Sequence, residues 1–368
     1  MKVLFHMPTK VIVGKNCIKE NASMIAGLGS KALIVTGASS AKKCGALDDI
    51  TAVLTAQGRE YAVYDKVMAN PTIECVYEGA RYAREQGVNF VIAIGGGSPM
   101  DAAKAIALLS CQDIAEEQLF SGSYEDRVLP MAFVPTTAGT GSEVTPYSVL
   151  TNHKAQTKMS ISSPLIYPKI AFLDASYTLA LPLASTINTA VDALSHSVEG
   201  MLTVRSNPMS DVVALESIKE IVSCFEALRS GELSFEVRER LLYASMLAGI
   251  VIAQTGTSIV HSMGYPLTYF KGIDHGRANG LLLSAFLDFV SESNPKRVEQ
   301  ILSCINLSSV DEFEDLLVSV LGDKEKITAN EIEQYTDGAI KTRNTQNTCV
   351  TPDHEDVVKI YCRSFGCL

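Results

Sequence analysis

A run of three glycines between a buried strand and the start of a helix is the feature that most constrains this chain. The run is Gly95–Gly97, and the residues before it, Val88–Ile94, are almost wholly apolar and rich in β-branched side chains. Such a run is typical of a strand buried on both faces of a parallel sheet. Ser98 has the character of an N-cap, with Pro99 at the first helical position. We therefore predict a strand, a glycine loop and a helix, which leave main-chain N–H groups open to a phosphate.

The same glycines have a plainer interpretation. Without side chains they also permit close packing of the strand against the helix, and one Gly-rich turn does not distinguish packing from phosphate binding. Other segments of the chain have to decide between the two.

The order of the elements indicates the fold class. Helical patterns separate the first three predicted strands, which is the order of βαβ units on a parallel sheet. An edge hairpin is expected between Val3 and Gly14, and after Asp174 the pattern becomes helical throughout. We predict an α/β domain with a parallel Rossmann-like sheet over residues 1–180 and an all-α domain over residues 181–368. The buried strands are placed at Lys31–Thr36, Tyr61–Tyr64, Val88–Ile94, Val128–Val134 and Ile170–Leu173.

The composition of the chain argues against two kinds of binding partner, nucleic acids and membranes. The chain has 368 residues, 47% of them hydrophobic, and a formal net charge of -10, which argues against nucleic acid because phosphate backbones are bound by clustered Lys and Arg. The nine cysteines are scattered without a CxxC pair, as in a protein with reduced thiols. No apolar leader opens the chain, and the uncharged stretch Leu241–Phe270 is too polar for lipid. We expect a cytoplasmic protein that binds neither nucleic acid nor a membrane.

A second loop collects hydroxyl groups. The segment Pro135–Thr145 follows a predicted buried strand and contains two glycines together with Thr136, Thr137, Thr140 and Ser142. Such a loop can hydrogen-bond a phosphate, a ribose or a carboxamide without adding charge. Loops of Thr, Ser and Gly are also common turns, so this segment alone is a weak indication.

A carboxylate and three imidazoles form the third group. Asp192 and His196 lie four residues apart, on one face of a predicted helix, while His261 and His275 lie in apolar, uncharged surroundings of the same helical region. Mixed oxygen and nitrogen ligands suit Fe²⁺ or Zn²⁺, and a set without thiolates is typical of a catalytic site. A single histidine is otherwise more often a satisfied core residue.

In this order, the segments GGGSPMDAAK, PTTAGTGSEVT, DALSH and HSMGYPL…DHGRANG resemble those of the iron-containing (group III) alcohol dehydrogenases. The resemblance covers essentially the whole chain. It implies a dehydroquinate synthase-like fold, with a nucleotide-binding domain over residues 1–180 and a metal-binding domain over residues 181–368. A hydride would pass between an alcohol at the metal and a nicotinamide, in a cleft between the domains.

The resemblance also implies roles for individual residues. The metal ligands carry over to Asp192, His196, His261 and His275. At Tyr265 the chain departs from many family members, which have a second histidine there that is often proposed to relay protons; either Tyr265 or water would do so here. Cofactor contacts carry over to Asn70, Gly95, Gly96, Gly97, Ser98, Asp101, Thr136, Thr137, Thr140, Ser142, Lys158 and Leu179.

The segment after the first buried strand bears on the choice of nicotinamide. Enzymes that use NAD commonly place an acidic side chain at such a strand end to bind the ribose hydroxyls, and NAD-preferring relatives have Asp where this chain has Gly37. Ser39 and Ser40 offer hydrogen-bond donors, and Lys43, or failing that Lys42, offers positive charge for a 2′-phosphate. We predict a preference for NADP(H) over NAD(H), although the two serines are also ordinary helix-capping residues.

We predict a metal-dependent alcohol dehydrogenase, or aldehyde reductase, that forms a homodimer and acts on a small primary alcohol or diol. One alternative is a non-redox lyase or synthase resembling dehydroquinate synthase, which would need extra cations for its substrate; only Lys271 and Arg277 are near the proposed ligands. The other alternative is a nucleotide-binding regulator without catalysis, which predicts a broken ligand set. Fold alone does not decide among the three.

Overall fold

The chain forms two compact units in this computed structural model, which describes residues 3–366. One unit is Met7–Leu181, and the other runs from Pro182 onward and includes the N-terminal residues up to His6. His6 belongs to the second unit because its main-chain N–H donates to Gln254 Oε1 and its carbonyl accepts from Gln254 Nε2, both at 2.9 Å.

A six-stranded parallel sheet forms the centre of the first unit. The strands are β1 (Lys10–Val13), β2 (Lys31–Thr36), β3 (Glu60–Tyr64), β4 (Phe90–Gly95), β5 (Met131–Pro135), β6 (Tyr147–Asn152), β7 (Thr157–Ser162) and β8 (Ile170–Leu173). The strand order in the sheet is β1-β8-β5-β4-β2-β3, and β6 and β7 form a separate antiparallel pair in the part of the chain that is described. The predicted parallel sheet is confirmed.

Side chains alternate between two cores on the two faces of the sheet. On β2, Leu33 contributes to one core and Ile34 to the other, and on β4 Val91 and Ile92 divide in the same way. Because both faces are covered, these strands are continuous apolar runs rather than alternating ones. The helices of this unit are α1 (Cys17–Glu20), α2 (Ala22–Ala26), α3 (Ser40–Lys43), α4 (Ala46–Ala56), α5 (Ile73–Gln86) and α6 (Gly97–Cys111), with short 3₁₀ turns at Glu116–Gln118, Ser142–Val144, Pro164–Ile166 and Ala175–Thr178.

The predicted edge hairpin between Val3 and Gly14 is wrong. Residues 3–9 form no strand, and β1 pairs in parallel with β8 from Lys10↔Ile170 to Val13↔Leu173. The open edge of β8 provides main-chain partners for β1, whereas the segment before it contains Pro8, which has no N–H to donate.

Helices make up almost all of the second unit. The helices are α7 (Leu183–Met201), α8 (Pro208–Ser223), α9 (Phe225–Ser230), α10 (Phe235–Thr255), α11 (Ile259–Lys271), α12 (His275–Ser293), α13 (Pro295–Ser303), α14 (Val310–Leu321), α15 (Ala329–Ala339), α16 (Arg343–Asn347) and α17 (His354–Phe365). Within residues 3–366 no single helix is both long and apolar enough to cross a membrane; the pair α10 and α11, bent by 114°, meets that test only when the two are taken together.

Candidate metal and nucleotide sites

Three of the four predicted metal ligands converge in the helical unit. Asp192 comes from α7, His261 from the first turn of α11, and His275 is the first residue of α12. One potential ligand atom from each lies within 4.8 Å of the other two. Asp192 and His261 are buried and His275 is half-buried. One carboxylate oxygen and two imidazole nitrogens this close together fit a divalent cation such as Fe²⁺ or Zn²⁺.

His196 and Tyr265 lie next to this group through ring contacts. The His196 ring stacks on that of His261, with centroids 4.7 Å apart and planes inclined by 22°. Tyr265 stacks on His275 in the same way, at 5.5 Å and 17°. In the described part of the chain the mutually close ligand atoms are those of Asp192, His261 and His275, so ligation by His196 stays a prediction.

Glycines allow the ligand-bearing helices to approach closely. A Cβ added at Gly276 on α12 would lie 1.9 Å from the Asn188 carbonyl oxygen and 2.7 Å from Asp192 Cβ, both on α7. One turn later, a Cβ at Gly280 would lie 2.3 Å from Val191 Cγ1. Contacts this short are impossible for real side chains, so the spacing of α7 and α12 at the site depends on these two glycines.

A buried carboxylate supports His261, and sequence reasoning missed it. Glu199 on α7 forms a short hydrogen bond with His261 Nδ1 and accepts from the Ser258 hydroxyl (2.6 Å) and the Ser258 main-chain N–H (3.0 Å). Metal-binding histidines usually donate their second ring nitrogen to such a carboxylate. A signal was present, because Glu199 follows Asp192 by seven residues and therefore lies on the same helical face.

We expect Glu199→Gln to weaken Zn²⁺ binding by roughly 10- to 100-fold, the usual effect of losing such a partner. Glu199 accepts the Nδ1 proton and leaves His261 Nε2 as an acceptor. A glutamine NH₂ facing Nδ1 would instead favour the proton on Nε2, where it blocks ligation. Zn²⁺ affinity measured by chelator competition checks this, with Glu216→Gln, an exposed glutamate of the neighbouring helix α8, as the control. Equal affinities in both variants would contradict it.

The predicted nucleotide loops meet at one edge of the parallel sheet. In chain order β2 continues to β3 on one side, whereas β4 continues to β5 on the other side. The carboxyl ends of β2 and β4 are therefore a topological switch point, where open parallel sheets bind their ligands. Gly37–Ser40 follows β2, and Gly96–Ser98 follows β4, whose last residue is Gly95.

The glycine loop also packs tightly against the hydroxyl loop. Gly95 pairs with Pro135 across β4 and β5, and a Cβ at Gly96 or Gly97 would lie within 2.8 Å of the Thr137 or Thr140 side chain. Both interpretations of the glycines thus have a physical basis, since close packing is required here whether or not a phosphate binds. Thr137 and Thr140 are half-buried, while Thr136 is buried and its N–H donates to the Gly95 carbonyl.

The predicted N-cap at Ser98 is wrong. Helix α6 begins at Gly97 with Gly96 as its N-cap, and the Ser98 hydroxyl accepts instead from the main-chain N–H of Asn70 at 3.1 Å. Asn70, in the left-handed region at φ 55°, is thereby held beside the glycine loop. Lys158 lies on β7, and Leu179, after the last 3₁₀ turn, is half exposed.

Asp101 and Ser142 belong to a buried polar network that includes an unpredicted lysine. The Ser142 hydroxyl donates to Asp101 Oδ1 at 2.6 Å, and Lys104 Nζ donates to the Ser142 hydroxyl at 2.8 Å and to the Tyr147 carbonyl at 2.7 Å. Lys104 is fully buried, and this burial lowers its pKa to about 8. The network ties α6 to the hydroxyl loop.

Glu143, also buried beside Lys104, should make stability depend on pH. Burial raises the pKa of its carboxyl to about 7, against the opposing charge of Lys104. The folded chain therefore binds this proton more tightly than the unfolded chain, and it loses stability as pH rises from about 4.5 to 7. We expect Glu143→Gln to gain up to roughly 3 kcal/mol relative to wild type over that interval. Urea unfolding of both proteins at the two ends of this pH interval measures the difference in stability. If the stabilities of wild type and variant change with pH in parallel, Glu143 is not a buried carboxyl that titrates in this interval.

The segment after β2 is open to solvent. Ser39, Ser40 and Lys43 are exposed, and Gly37 is half-buried. Ser39 is the N-cap residue of α3, but its side chain makes no capping hydrogen bond. The capping interpretation of the two serines is therefore not supported at Ser39.

Comparison with known proteins gives the family. The model for "Iron-containing alcohol dehydrogenase" matches residues 8–175, and the model for "Fe-containing alcohol dehydrogenase family, C-terminal" matches residues 186–365. Similar proteins include the NADPH-dependent butanol dehydrogenase of Clostridium saccharobutylicum, 29% identical over 88% of this chain and 83% of that protein. Lactaldehyde reductase of Escherichia coli K12 is 35% identical over 69% of this chain and 66% of that protein.

Among solved structures, an iron-containing alcohol dehydrogenase from Thermotoga maritima is 38% identical with a TM-score of 0.91, and the alignment covers 99% of both chains. The chain therefore belongs to the iron-containing alcohol dehydrogenase family and is an oxidoreductase of that class. The resemblance inferred from sequence is confirmed.

Proposed function

We propose that this chain is a metal-dependent alcohol dehydrogenase, or aldehyde reductase, that transfers a hydride between a small primary alcohol or diol and NADP(H). The convergence of Asp192, His261 and His275 is the observation that carries this proposal. Together with His196 they would hold Fe²⁺ or Zn²⁺. A bound divalent cation supplies Lewis acidity that lowers the pKa of an alcohol.

The residues of the chain have distinct tasks in this proposal. Asp192 contributes negative charge, and Glu199 keeps His261 in the tautomer whose Nε2 can bind a cation. Tyr265, which stacks on His275, would pass a proton through its hydroxyl, with water as the alternative carrier. The hydride chemistry itself belongs to the nicotinamide.

The nucleotide would bind within residues 1–180, as the metal would bind within residues 181–368. Support comes from the switch point between β2 and β4 and from the loops that surround it. The main-chain N–H groups of Gly95–Ser98 at the start of α6 suit a pyrophosphate. The Thr137 and Thr140 hydroxyls border the same loop.

The surroundings of the metal ligands favour an uncharged substrate. Arg277 pairs with Glu325 at 2.6 Å and Lys271 with Glu331 at 2.6 Å, so both nearby cations are already engaged by carboxylates. A lyase or synthase acting on a phosphorylated, carboxylated substrate would need such cations. The converging ligands also speak against a regulator with a broken site. The printed names of the relatives, a butanol dehydrogenase and a lactaldehyde reductase, are in keeping with small alcohols and aldehydes.

The experiment that tests the function is a panel of alcohols and aldehydes assayed with NADP(H) and NAD(H) after loading metal-stripped protein with Fe²⁺ or Zn²⁺. We expect cation-dependent, stoichiometric formation of NADPH from a small primary alcohol or diol. Turnover that needs no cation, or phosphate release without net reduction of the nucleotide, would contradict the proposal.

The preference for NADP(H) rests on the open, carboxylate-free segment after β2. The exposed side chains of Ser39, Ser40 and Lys43 can receive a 2′-phosphate through hydrogen bonds and a positive charge. The small residue Gly37 leaves the space beside them open.

We expect Gly37→Asp to move the ratio of kcat/KM values toward NAD by roughly tenfold or more, since a charged hydrogen bond gained or lost contributes about 1.5 to 3 kcal/mol. A side chain here must displace the Val67 carbonyl slightly, because Cβ would lie 3.2 Å from its oxygen. Gly37→Asn, with the same shape and no charge, is the matched control. A wild type that prefers NAD, or equal shifts in the two variants, refutes the assignment.

We also propose a cytoplasmic homodimer. The eight cysteines within residues 3–366 are all free thiols, as expected in a reducing compartment. Light scattering in solution tests the dimer directly.

A further inference from the structure

Asn279 is a buried residue whose amide contacts all three of the converging side chains. It lies on α12, four residues after His275, and is fully buried. Its amide nitrogen donates to Asp192 Oδ1 at 3.2 Å and lies 3.3 Å from Nε2 of His261 and 3.3 Å from Nε2 of His275. A single NH₂ group therefore ties together side chains from α7, α11 and α12.

These contacts determine which lone pairs face the centre of the group. An amide N–H can donate to an imidazole nitrogen only when that nitrogen carries no proton. The NH₂ group has two hydrogens, and with one donated to Asp192 the other can favour a free lone pair on Nε2 of His261 or of His275. At His261 this agrees with Glu199, which binds Nδ1 from the other side of the ring. A lone pair on Nε2 is the one that a cation would use.

The position of the amide requires the absence of a side chain on the neighbouring helix. A Cβ at Gly264 on α11 would lie 2.2 Å from Asn279 Oδ1. That oxygen is buried and has no hydrogen-bond partner among residues 3–366. A buried carbonyl without a donor is unfavourable, so the NH₂ contacts, rather than the oxygen, account for an asparagine here.

We propose that Asn279 is a positioning residue of the metal centre, which holds Asp192, His261 and His275 in their converged arrangement before a divalent cation binds. The inference rests on the proposed metal site and adds to it a residue outside the four ligands. The amide hydrogens of Asn279 carry partial positive charge and lie among the acceptor atoms of Asp192, His261 and His275. Without these hydrogens, and without a cation, the acceptors would repel one another. A residue that merely fills space would need only size and apolar contact.

Three variants distinguish a positioning role of Asn279 from a role that only fills space. Asn279→Leu keeps the size and removes the donor; Asn279→Asp keeps the shape and replaces the donor by a carboxylate beside Asp192. Gly264→Ala touches no ligand but displaces the amide. Gly338→Ala is the matched control, because Gly338 lies within α15 and a Cβ there would meet nothing within 4 Å.

The affinity for Zn²⁺ is measured by chelator competition, the ligand geometry by the visible absorption of Co²⁺, and the fold by melting of the cation-free protein. We expect Asn279→Leu and Gly264→Ala to bind Zn²⁺ at least about tenfold more weakly, the scale seen for supporting residues, while Gly338→Ala is unchanged. Asn279→Asp should melt lower without a cation, because two carboxylates are adjacent, and should gain more from Zn²⁺ than wild type does.

Wild-type affinity and Co²⁺ absorption in Asn279→Leu would overturn the inference, as would identical behaviour of the Leu and Asp variants. If Asn279→Leu does not fold, the Zn²⁺ affinity and melting temperature of Asn279→Asp and Gly264→Ala still test the inference. Failure of the wild type to bind Zn²⁺ or Co²⁺ would overturn the metal centre itself, whereas tight wild-type binding with unaffected variants would overturn only the role of Asn279.

Discussion

His261→Ala is expected to lose divalent-cation binding together with activity. The substitution removes one of the three ligand atoms that converge within 4.8 Å and leaves Glu199 without its imidazole partner. Losing a ligand of a Lewis-acid site should remove several kcal/mol of transition-state stabilisation, about 1000-fold or more in kcat/KM. Steady-state kinetics after reloading with Fe²⁺ or Zn²⁺, with cation content measured on the same samples, provides the comparison. His275→Ala should behave in the same way.

His354→Ala is the matched control for these variants. His354 also begins a helix, α17, but its side chain is exposed and lies 3.6 Å from the carboxylates of Glu333 and Asp337. Activity and cation content should stay at wild-type levels there. Alanine is a good helix former, so circular dichroism should show an unchanged overall helix content in His261→Ala. Wild-type turnover by metal-stripped His261→Ala would end the proposal of a metal centre.

Lys104→Met is expected to destabilise the first unit strongly. The lysine is fully buried, and its ammonium group lies among Asp101, Ser142 and Glu143. Removing one partner of a buried ionic group costs about 3 to 5 kcal/mol, because the remaining charge stays buried without compensation. For a unit of this size the melting temperature should fall by roughly 6 to 20 °C. Calorimetry of the wild type and the variant measures the fall.

Lys66→Met serves as its control, because Lys66 is an exposed lysine of the same unit that pairs with Glu78, and such surface pairs contribute about 0 to 1 kcal/mol. Combining Lys104→Met with Glu143→Gln should recover part of the loss, since the two residues interact. Equal melting temperatures for Lys104→Met and Lys66→Met would mean that the buried network does not stabilise the fold.

The parallel sheet was predictable because strands covered on both faces are continuous apolar runs. The hairpin β6-β7 was not, since its residues are mostly polar or half-buried and it is held by long-range contacts. Thr151 N–H donates to the Pro71 carbonyl at 2.8 Å, and Val149 N–H donates to Asp101 Oδ2 at 3.1 Å. Contacts of this kind depend on the folded chain and leave no local pattern.

The residues of the candidate site were likewise predictable only in part. Asp192 and His196 share one helix, so their spacing is informative, and the apolar, uncharged surroundings of His261 and His275 indicated the other two before the resemblance to the family implied all four. Lys104 escaped prediction because lysine is rarely buried, although its place in an alanine-rich helix was a hint. Asn279 repeats the spacing of four from His275, but asparagine is common on helices, and only the convergence of α7, α11 and α12 distinguishes it.

The contact at Gly276 has a consequence for how this site can vary. Active-site residues carried on loops can drift as the loops lengthen or shorten, because little packing depends on them. Here the distance between Asp192 and His275 is fixed by two helix backbones in contact, with the Asn188 carbonyl where a Cβ of residue 276 would be. A substitution that changes the packing of these two helices would therefore also change the geometry of the candidate metal ligands. New substrate ranges would have to arise from side chains around that fixed contact.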